Sequence, residues 1–411
     1  MAIGVPKPRV LIVGAGIGGL TLAQCLRKQG IPFEIFERDT DAHSRFLGWA
    51  IGIHGILDDL IASIPDDLPP IKEGISHLFP LNLEAQISLY IHGKHTAVQS
   101  TPEKPIIRAN RPRLRDWLST HIPIQWGKRP IWIEQVQDKI LLHFEDGTTA
   151  TGDILVGADG INSFVREHLL RVPNKETIRL VPSCMIIGET TLSGEAFERQ
   201  LSMAHSCYMA SGPASSNYFL FVGLNQVSPD GKSGRYYWFT AETDESISNE
   251  DHWAKSASKA DLYDHVVKLT SNLESRFSEV IRSTSASEVR DKPFIIRDAE
   301  IEHLPVGRIT LLGDAAHPMG PYRGEGGVHA FRDALNLSKA IGQLKSNDTS
   351  EIESLFRPYQ KEMLERGVRA VKASRGQHSY KGVTTSNQII AWGQTPVEVP
   401  DEIITLEACL P

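Results

Sequence analysis

A turn of closely spaced glycines near the start of the chain constrains its fold more than any other feature. Arg9–Val13 is a short, apolar, β-branched run that leads directly into Gly14–Gly19, and a helix-forming stretch then continues to Gly30. Gly30 is suited to end this helix, because glycine readily adopts the left-handed conformation found at helix C-termini. A buried strand, a glycine turn and a helix in this order predict a dinucleotide-binding fold.

The three glycines of the motif have separate tasks. Gly14 permits the tight turn, Gly16 lets the backbone approach a pyrophosphate, and Gly19 lets the helix pack closely on the strand. The next strand, Phe33–Phe36, ends at Glu37, 18 positions after the last glycine, where a carboxylate can bind a ribose. The start of the helix favours the negative charge of the pyrophosphate. The motif alone leaves NAD and FAD both open.

Two further motifs of strand and turn lie far downstream. Thr151–Arg166 contains an apolar strand followed by Asp159 and Gly160, and Gly307–Leu337 contains a strand followed by Gly313-Asp314. An aspartate directly after a parallel strand lies at the edge of the sheet where ligands bind. Asp314 is therefore expected to hold a polyol or ribose hydroxyl, and the glycine-rich loop after it can approach a flat ring system.

Together the three motifs resemble the single-component class A FAD monooxygenases, the group of para-hydroxybenzoate and salicylate hydroxylases. The third motif is similar to the fungal secondary-metabolism branch of that family, and the resemblance covers positions from about 10 to 375. It implies an α/β fold in which a Rossmann-like FAD-binding domain carries an inserted antiparallel β-sheet substrate domain. The expected FAD-binding domain is discontinuous (1–80, 105–180 and 285–375), the substrate domain covers 81–104 and 181–284, and a C-terminal tail covers 376–411.

The resemblance also implies which residues bind the cofactor. The positions expected to contact FAD are Gly14, Gly16, Gly19, Glu37, Arg38, Arg45, Ala50, Arg111, Asp159, Gly160, Asp314, Gly326 and Gly327. The chain has no second glycine motif for a stably held NADPH or NADH, so that donor is expected to bind transiently. Val328 stands where the branch usually has asparagine, which places the redox tuning of the flavin in question.

The middle of the chain predicts an antiparallel sheet that forms the roof of a pocket. Its strand-like stretches are Gln86–His92, Ser206–Met209, Tyr218–Leu224 and Arg235–Ala241. Because side chains alternate along a strand, half of the many aromatic residues there must face the flavin side. An aromatic-lined pocket predicts a hydrophobic aromatic or polycyclic substrate, with O₂ as the second one.

Candidates for catalysis are weaker than those for cofactor binding. Arg199 and Tyr218 could act as acid or base from the substrate sheet, although an exposed arginine and a packed tyrosine are the simpler interpretations of each. Pro321 matches the family's proline near the reacting face. His317 is expected to be a structural part of its loop, because histidines at such turns commonly form local hydrogen bonds.

Composition excludes several other classes of protein. A net charge of -7 argues against a nucleic-acid binder, and no run approaches the roughly 20 apolar residues of a membrane-spanning helix. Four scattered cysteines suggest a reducing compartment, here the cytoplasm, with neither a disulfide framework nor a metal site. A homodimer is left open. The charged helix Ser354–Ser379 carries basic residues, among them Arg366, that are expected to form a solvated face.

Three functions remain open from the sequence. The first is a monooxygenase in which NAD(P)H reduces FAD, O₂ adds at flavin C4a, and the hydroperoxide delivers one oxygen atom by hydroxylation, epoxidation or Baeyer–Villiger insertion. The second is an FAD-binding oxidase or reductase without oxygen transfer. The third is a non-redox isomerase, cyclase or scaffold that binds FAD structurally, which only Val328 favours.

Overall fold

The computed structural model describes residues 7–91, 94–211, 216–377, 396–397 and 403–410. Its strands in chain order are β1 (Val10–Val13), β2 (Phe33–Phe36), β3 (Ala50–His54), β4 (Gln86–Ile91), β5 (Lys94–Gln99), β6 (Ile106–Asn110), β7 (Ile124–Gln125), β8 (Pro130–Val136), β9 (Lys139–Phe144), β10 (Thr149–Gly152), β11 (Ile154–Gly157), β12 (Arg179–Ser193), β13 (Cys207–Ser211), β14 (Tyr218–Val227), β15 (Ser233–Thr243), β16 (Phe294–Asp298), β17 (Ile309–Leu311) and β18 (Pro396–Val397).

The α-helices range from one turn to 29 residues. In chain order they are α1 (Ile17–Gln29), α2 (Leu57–Ser63), α3 (Ile71–Ile75), α4 (Arg111–Ser119), α5 (Phe164–Leu170), α6 (Asn174–Thr177), α7 (Gly194–Met203), α8 (Trp253–Ser256), α9 (Lys259–Leu269), α10 (Ser275–Arg282), α11 (Gly326–Gly342), α12 (Thr349–Gln377) and α13 (Leu406–Cys409). No helix among the described residues combines the length and apolar character needed to cross a bilayer.

A five-stranded parallel sheet with the order β17-β11-β1-β2-β7 carries the three sequence motifs. Every residue of β1 and β11 is buried, because layers of chain cover both faces of this sheet. Helices α1, α11 and α12 contribute their apolar sides to the same core. The predicted strand, turn and helix order is confirmed, and it brings the carboxyl ends of β1, β11 and β17 next to one another.

An eight-stranded sheet with the order β16-β12-β15-β14-β13-β4-β5-β18 forms the second large unit. Its pairings are antiparallel except for β13 with β4. The predicted strands belong to this sheet, except that Ser206 lies just before β13 and His92 lies outside the described residues. The α/β fold is therefore confirmed, whereas the exact domain boundaries stay a prediction.

The two faces of this sheet have different partners. On β15, Tyr236 and Trp238 belong to the core under helices α7 to α10, whereas Tyr237 and Phe239 lie on the opposite face. A two-stranded ribbon of β3 and β6 connects that second face to the parallel sheet. The predicted alternation of the aromatic side chains is therefore confirmed for this strand, and which face lies toward the flavin stays a prediction.

Candidate cofactor site and substrate pocket

The three sequence motifs meet at the carboxyl edge of the parallel sheet. A Cβ atom on Gly14 would lie 2.4 Å from the Ala158 carbonyl oxygen, and one on Gly18 would lie 2.6 Å from a methyl carbon of Leu312. Both contacts leave no room for a side chain. The glycine turn, the Asp159-Gly160 turn and the Gly313-Asp314 turn therefore form one wall, although they are far apart in sequence.

The glycine turn has the geometry of a phosphate-binding loop. Gly14 has a φ of +108°, and a Cβ on Gly19 would lie 2.1 Å from the Gly14 carbonyl oxygen, so both positions require glycine. A Cβ on Gly16 would meet no atom within 4 Å, which leaves its backbone open to a ligand. Gly16 is the N-cap residue directly before α1, and no side chain caps that end of the helix. The free N–H groups there suit an anion.

Glu37 folds back over this turn from the end of β2. Its Oε2 accepts a hydrogen bond from the Ala15 N–H at 2.8 Å, and its Oε1 accepts one from the Asp39 N–H at 3.1 Å. Each carboxylate oxygen has a second lone pair for a ribose hydroxyl. The structure thus places Glu37 where the sequence predicts it, and its contact with a ribose stays a prediction.

Arg115 is a buried arginine of this site that the sequence reasoning missed. Its Nε donates to the Ala15 carbonyl oxygen at 3.0 Å, and its Nη2 lies 3.6 Å from a Glu37 oxygen without a hydrogen-bond partner in the described chain. It lies four residues after Arg111 on α4, so both side chains share one face of that helix. That spacing is the signal that could have revealed it.

Arg111 and Asp314 face each other across the cleft. Both side chains reach solvent, but protein atoms packed around them remove part of the water that would otherwise solvate their charges. Burial lowers the pKa of the Arg111 guanidinium and raises the pKa of the Asp314 carboxyl, while the attraction between the two opposes both shifts. They form no direct ion pair in the described residues, so their polar atoms are available to the hydroxyl groups and phosphates of a ligand.

Asp159 has a clear structural task. Its carboxylate accepts hydrogen bonds from the Ser163 hydroxyl at 2.5 Å and from the Phe164 N–H at 2.7 Å, which starts α5. Gly160 follows with a φ of +77°. Arg166, which the sequence reasoning also missed, is fully buried and donates from Nη1 to the Ala315 carbonyl oxygen at 2.9 Å. It thereby joins the second motif to the third.

His317 is held in a buried ion-pair network, as expected of a structural residue. Its Nε2 lies 2.7 Å from Asp333, which also accepts from the Gly313 N–H at 2.8 Å and from Arg366 at 2.5 Å. Burial opposes the charge on His317, but Asp333 outweighs it and raises the histidine pKa. The expectation of a solvated Arg366 is wrong, because this arginine reaches inward to compensate the buried Asp333.

The loop between Asp314 and α11 leads from the cofactor edge toward the second sheet. Pro321 begins a short 3₁₀ turn there, and the next residue, Tyr322, contacts Phe219 with ring centroids 5.9 Å apart. A Cβ on Gly327 would lie 2.7 Å from Ile51, which packs the start of α11 against β3, whereas Gly326 is nearly free of such contacts. The structure thus gathers these predicted positions along one cleft.

Val328 and the remaining predicted positions vary in their surroundings. Val328 is partly buried and packs against the core of the parallel sheet. Ala50 begins β3 opposite Asn110, immediately beside Arg111. At the rim, Arg38 is exposed and Arg45 forms an ion pair with Asp39 at 2.6 Å.

An aromatic cage lies between the second sheet and the ribbon. The rings of Trp49 and Tyr237 stack with centroids 4.9 Å apart, and those of Phe221 and Phe239 stack at 4.7 Å. Phe46 closes the outer side with its edge toward Trp49. We call these five residues the aromatic cage. Flat, apolar walls of this kind suit a ring-shaped ligand and keep water away from it.

Arg199 and Tyr218 do not reach this cage. Arg199 lies on α7, where it forms ion pairs with Glu279 at 2.7 Å and Glu195 at 3.4 Å. Tyr218 of β14 lies opposite Glu242 of the neighbouring strand β15. The Glu242 carboxylate contacts His265 of α9 at 3.1 Å, which shows the face of the sheet to which both residues point. Both candidates therefore lie on the helix-covered face of the sheet, and the geometry gives no support to the catalytic roles predicted for them.

A surface cavity of about 340 Å³ also lies on that helical face. Arg199, Arg276 and Ile403 are among the residues that line it. It is separated from the cofactor edge by the thickness of the sheet, so it has no part in the cofactor site.

The sequence profile of the FAD-binding domain family matches residues 124–374, and that of a NAD(P)-binding Rossmann-like domain matches residues 12–45. The FAD-dependent monooxygenase thnD of Trichoderma harzianum is 45% identical over 402 residues, covering 95% of this chain and 99% of thnD. The chain belongs to the FAD-dependent monooxygenases. The predicted family and its fungal secondary-metabolism branch are confirmed, and this monooxygenase is an oxidoreductase with FAD as its cofactor.

Solved structures show the same fold. A putative FAD-containing monooxygenase from Photorhabdus luminescens matches with a TM-score of 0.70 at 24% identity, covering 92% of this monooxygenase and 100% of the other chain. HpxO of Klebsiella pneumoniae, solved with FAD and uric acid, matches with a TM-score of 0.70 at 20% identity, covering 93% and 91% of the two chains.

The residues of this monooxygenase fit FAD. The open backbone at Gly16 and the uncapped start of α1 suit the pyrophosphate, and the unpartnered Nη2 of Arg115 is a buried donor beside them. Asp314 and Arg111 line the continuation of the cleft toward the start of α11.

Proposed function

We propose that this protein uses NAD(P)H and O₂ to oxygenate a hydrophobic aromatic or polycyclic small molecule in secondary-metabolite biosynthesis. The single observation that carries the proposal is the position of the aromatic cage beside Arg111, whose backbone N–H donates to the Trp49 carbonyl oxygen at 2.8 Å. When bound, FAD supplies the redox chemistry and the activation of O₂. The protein's own contribution is to bind, orient and exclude water.

The predicted site residues divide these tasks. In the proposal, Gly14, Gly16 and Gly19 shape the pyrophosphate loop and Glu37 binds the adenosine ribose. The flavin end is lined by Arg111, Asp314, Gly326 and Gly327, with Ala50 and Pro321 beside them. Positive charge at the rim comes from Arg38 and Arg45. The second turn is held in place by Asp159 and Gly160.

The aromatic cage orients the substrate over that end of the cleft. Stacked rings contact a flat substrate over a wide area while they leave its edge free to react. Exclusion of water from this space protects reactive intermediates from hydrolysis. A ring-bearing ligand is in line with the uric acid named in the HpxO structure, although the shared fold alone does not set the substrate.

Oxygen incorporation is the test of the proposal. The purified, FAD-loaded protein is incubated with ¹⁸O₂, NADH or NADPH, and a panel of aromatic and polycyclic compounds, while flavin reduction and the mass of the products are followed. One labelled oxygen atom per product is expected. Reduction of the flavin without labelled product would favour an oxidase or reductase, and no flavin reduction with either donor would exclude redox catalysis.

A pair of variants connects the activity to the cage. Phe239→Ala removes a ring of the cage, whereas Trp253→Ala removes an exposed ring on the helical face. We expect the first to lower the coupling of NAD(P)H oxidation to product about tenfold or more, because a loosely held substrate is misplaced. The second is expected to leave the coupling unchanged. Equal coupling in both variants would place the substrate elsewhere.

A further inference from the structure

The cavity on the helical face of the eight-stranded sheet is not used by the proposed function. It has a volume of about 340 Å³ and lies where α7, α10 and the hairpin of β4 and β5 meet. That volume is within the usual range for small-molecule sites, about 300–1,000 Å³. Among the described residues that line it, Arg199, Arg276 and Arg282 carry positive charge, and Glu279 alone carries a carboxylate. The composition of this wall favours an anionic ligand.

The Glu279 carboxylate is already engaged by its neighbours. It accepts hydrogen bonds from Arg199 Nη2 at 2.7 Å and from Gln200 Nε2 at 2.9 Å. Burial opposes its charge, but these hydrogen bonds outweigh burial and lower the Glu279 pKa, so the group is ionised near pH 7. Gln200 is fully buried, and its amide oxygen accepts from the Tyr208 hydroxyl at 2.9 Å. Arg199 and Glu279 therefore form a fixed part of the wall in which the two charges neutralise each other.

Arg276 presents hydrogen-bond donors to the cavity. Its guanidinium carbon lies 5.3 Å from the Tyr90 ring centroid and 4.8 Å from that of Phe277, which holds the planar group against the wall. Its Nε lies 2.9 Å from Glu274, but its two Nη atoms form no hydrogen bond with any residue that the structure describes. A guanidinium group with free donors matches the paired oxygens of a carboxylate or phosphate.

Arg282 is the second available cation. It donates from Nη2 to the Ser275 carbonyl oxygen at 2.8 Å and from Nη1 to the Ser278 hydroxyl, and it forms no ion pair within the described ranges. Arg276, Glu279 and Arg282 follow one another at intervals of three on α10, so their side chains share one side of the helix. Two arginines of a single helix therefore flank the space.

Acidic side chains at the rim compensate these charges only weakly. Glu195 and Glu274 lie outside the lining, and their side chains are 91% and 66% exposed. Water screens such exposed carboxylates strongly. No side chain in the described part of the chain caps the start of α10 at Ser275, so the positive end of that helix adds to the attraction for an anion.

Part of the lining is apolar. Met203 at the end of α7 and Ile403, which is 60% exposed, supply this part. An exposed isoleucine gains favourable burial when a ligand covers it. A ligand with a short hydrocarbon part beside its charged group therefore matches both kinds of wall.

We propose that this cavity is a second ligand site, which binds a small organic acid through a carboxylate or phosphate group held by Arg276 and Arg282. The apolar part of the ligand lies against Met203 and Ile403. The site is independent of the proposed oxygenation, because the sheet separates the cavity from the aromatic cage. No bond is made or broken, and the ligand binds in the ionised form that it has at neutral pH.

Calorimetric titration of the FAD-loaded protein tests the site. The probes are hexanoate, hexyl phosphate and hexanamide, which carry the same hydrocarbon chain and differ in charge. We expect saturable binding of at least one of the two acids with a Kd at or below about 1 mM, and at least about tenfold weaker binding of the neutral hexanamide. Binding of either acid supports the site, and the stronger of the two identifies the preferred anionic group.

Matched variants locate the binding. Arg276→Gln and Arg282→Gln should each weaken binding of the acid about fivefold or more, because each removes a charged donor. Ile403→Ala should weaken it severalfold, because less apolar surface is covered. Arg129→Gln, which removes an exposed cation elsewhere, and Phe239→Ala, which opens the aromatic cage, should leave it unchanged.

Urea unfolding of each variant separates a lost site from a lost fold. The inference would be overturned by the absence of binding of both acids up to about 10 mM, or by equal affinity for the acids and hexanamide. Folded arginine variants that bind the acids as tightly as the parent, or a loss of binding confined to Phe239→Ala, would overturn it as well. The latter result would place the acid in the aromatic cage.

Discussion

Gly16 and Gly19 lie three positions apart in one turn, yet their surroundings are opposite. A methyl group on Gly19 would lie 2.1 Å from a backbone oxygen, whereas one on Gly16 would meet nothing within 4 Å. Gly19→Ala is therefore expected to destabilise the protein without FAD by at least 1–3 kcal/mol, roughly the cost of overpacking. Gly16→Ala should leave that stability within about 0.5 kcal/mol but weaken FAD binding at least tenfold.

Urea unfolding of the FAD-free protein and titration with FAD separate the two effects. Gly307→Ala is a suitable control, since its Cβ would also meet no atom within 4 Å and it lies outside the turn. A Gly16→Ala protein that binds FAD as tightly as the parent would show that the pyrophosphate does not approach the backbone here.

His317 and Asp333 make stability depend on pH in a predictable direction. The His317 pKa is raised, so its contribution is fully present below its ordinary value of 6.5 and is lost as the pH rises through the folded value. The Asp333 pKa is lowered, so its contribution is present above 3.8 and is lost in acid. The pair should therefore contribute most to the free energy of unfolding between pH 3.8 and pH 6.5.

His317→Gln tests this window. Near pH 6 the variant should be less stable by about 1.5–3 kcal/mol, the usual value of a hydrogen bond to a charged group. The deficit should shrink as the pH rises toward 9, because neutral histidine loses much of its attraction to Asp333. Denaturant unfolding at several pH values measures it, with His303→Gln, at an exposed site, as the control. A deficit that is constant with pH would contradict a charged pair.

At the scale of elements, Asp159 begins α5 from outside the helix. Loss of its hydrogen bonds to Ser163 and Phe164 in Asp159→Ala should lower stability by about 0.5–2 kcal/mol with or without FAD. Asp58→Ala, an exposed aspartate in α2, is the matched control and should change stability by less than about 0.5 kcal/mol. Thermal and urea unfolding would show it; a loss seen only with FAD present would instead assign Asp159 to the ligand.

The elements that carry backbone motifs were predictable, because their chemistry is local. Each glycine of the first turn and each aspartate after a strand is specified by neighbours in sequence, and the structure brings these positions to one edge. Tyr218 shows where such reasoning ends. Its strand was predicted, but which face it occupies depends on register with β15 and on the helices above, which no local pattern fixes.

Buried arginines were missed for a related reason. Arg108 in an otherwise apolar strand, and Arg115 and Arg166 in short helices, look like ordinary surface charges until their distant carbonyl and carboxylate partners are known. Arg366 was assigned to a solvated helix face because its partner, Asp333, lies 33 residues away on another helix. Long-range compensation of charge decides these positions, and a single sequence does not show it.

At the scale of the whole molecule, the end of the chain returns to the substrate sheet after α12. Strand β18 pairs with β5, and the backbone N–H groups of Ile404 and Leu406 donate to Ser202 at 2.7 Å and Glu198 at 2.8 Å, respectively. The described residues 403–410 of the tail therefore join the core of the substrate unit beside α7.

This packing predicts unequal effects of truncating two neighbouring side chains. Leu406 is 9% exposed within the core of the substrate unit, whereas Ile403 is 60% exposed. Leu406→Ala should lower the free energy of unfolding by about 2–3 kcal/mol, near the lower end for a buried leucine, and Ile403→Ala by less than about 0.5 kcal/mol. Because Leu406 belongs to the core on the helical face, FAD affinity should stay unchanged while the stability of the substrate unit falls. Urea unfolding combined with FAD titration tests both parts, and equal stability of the two variants would show that the tail does not hold the helical layer in place.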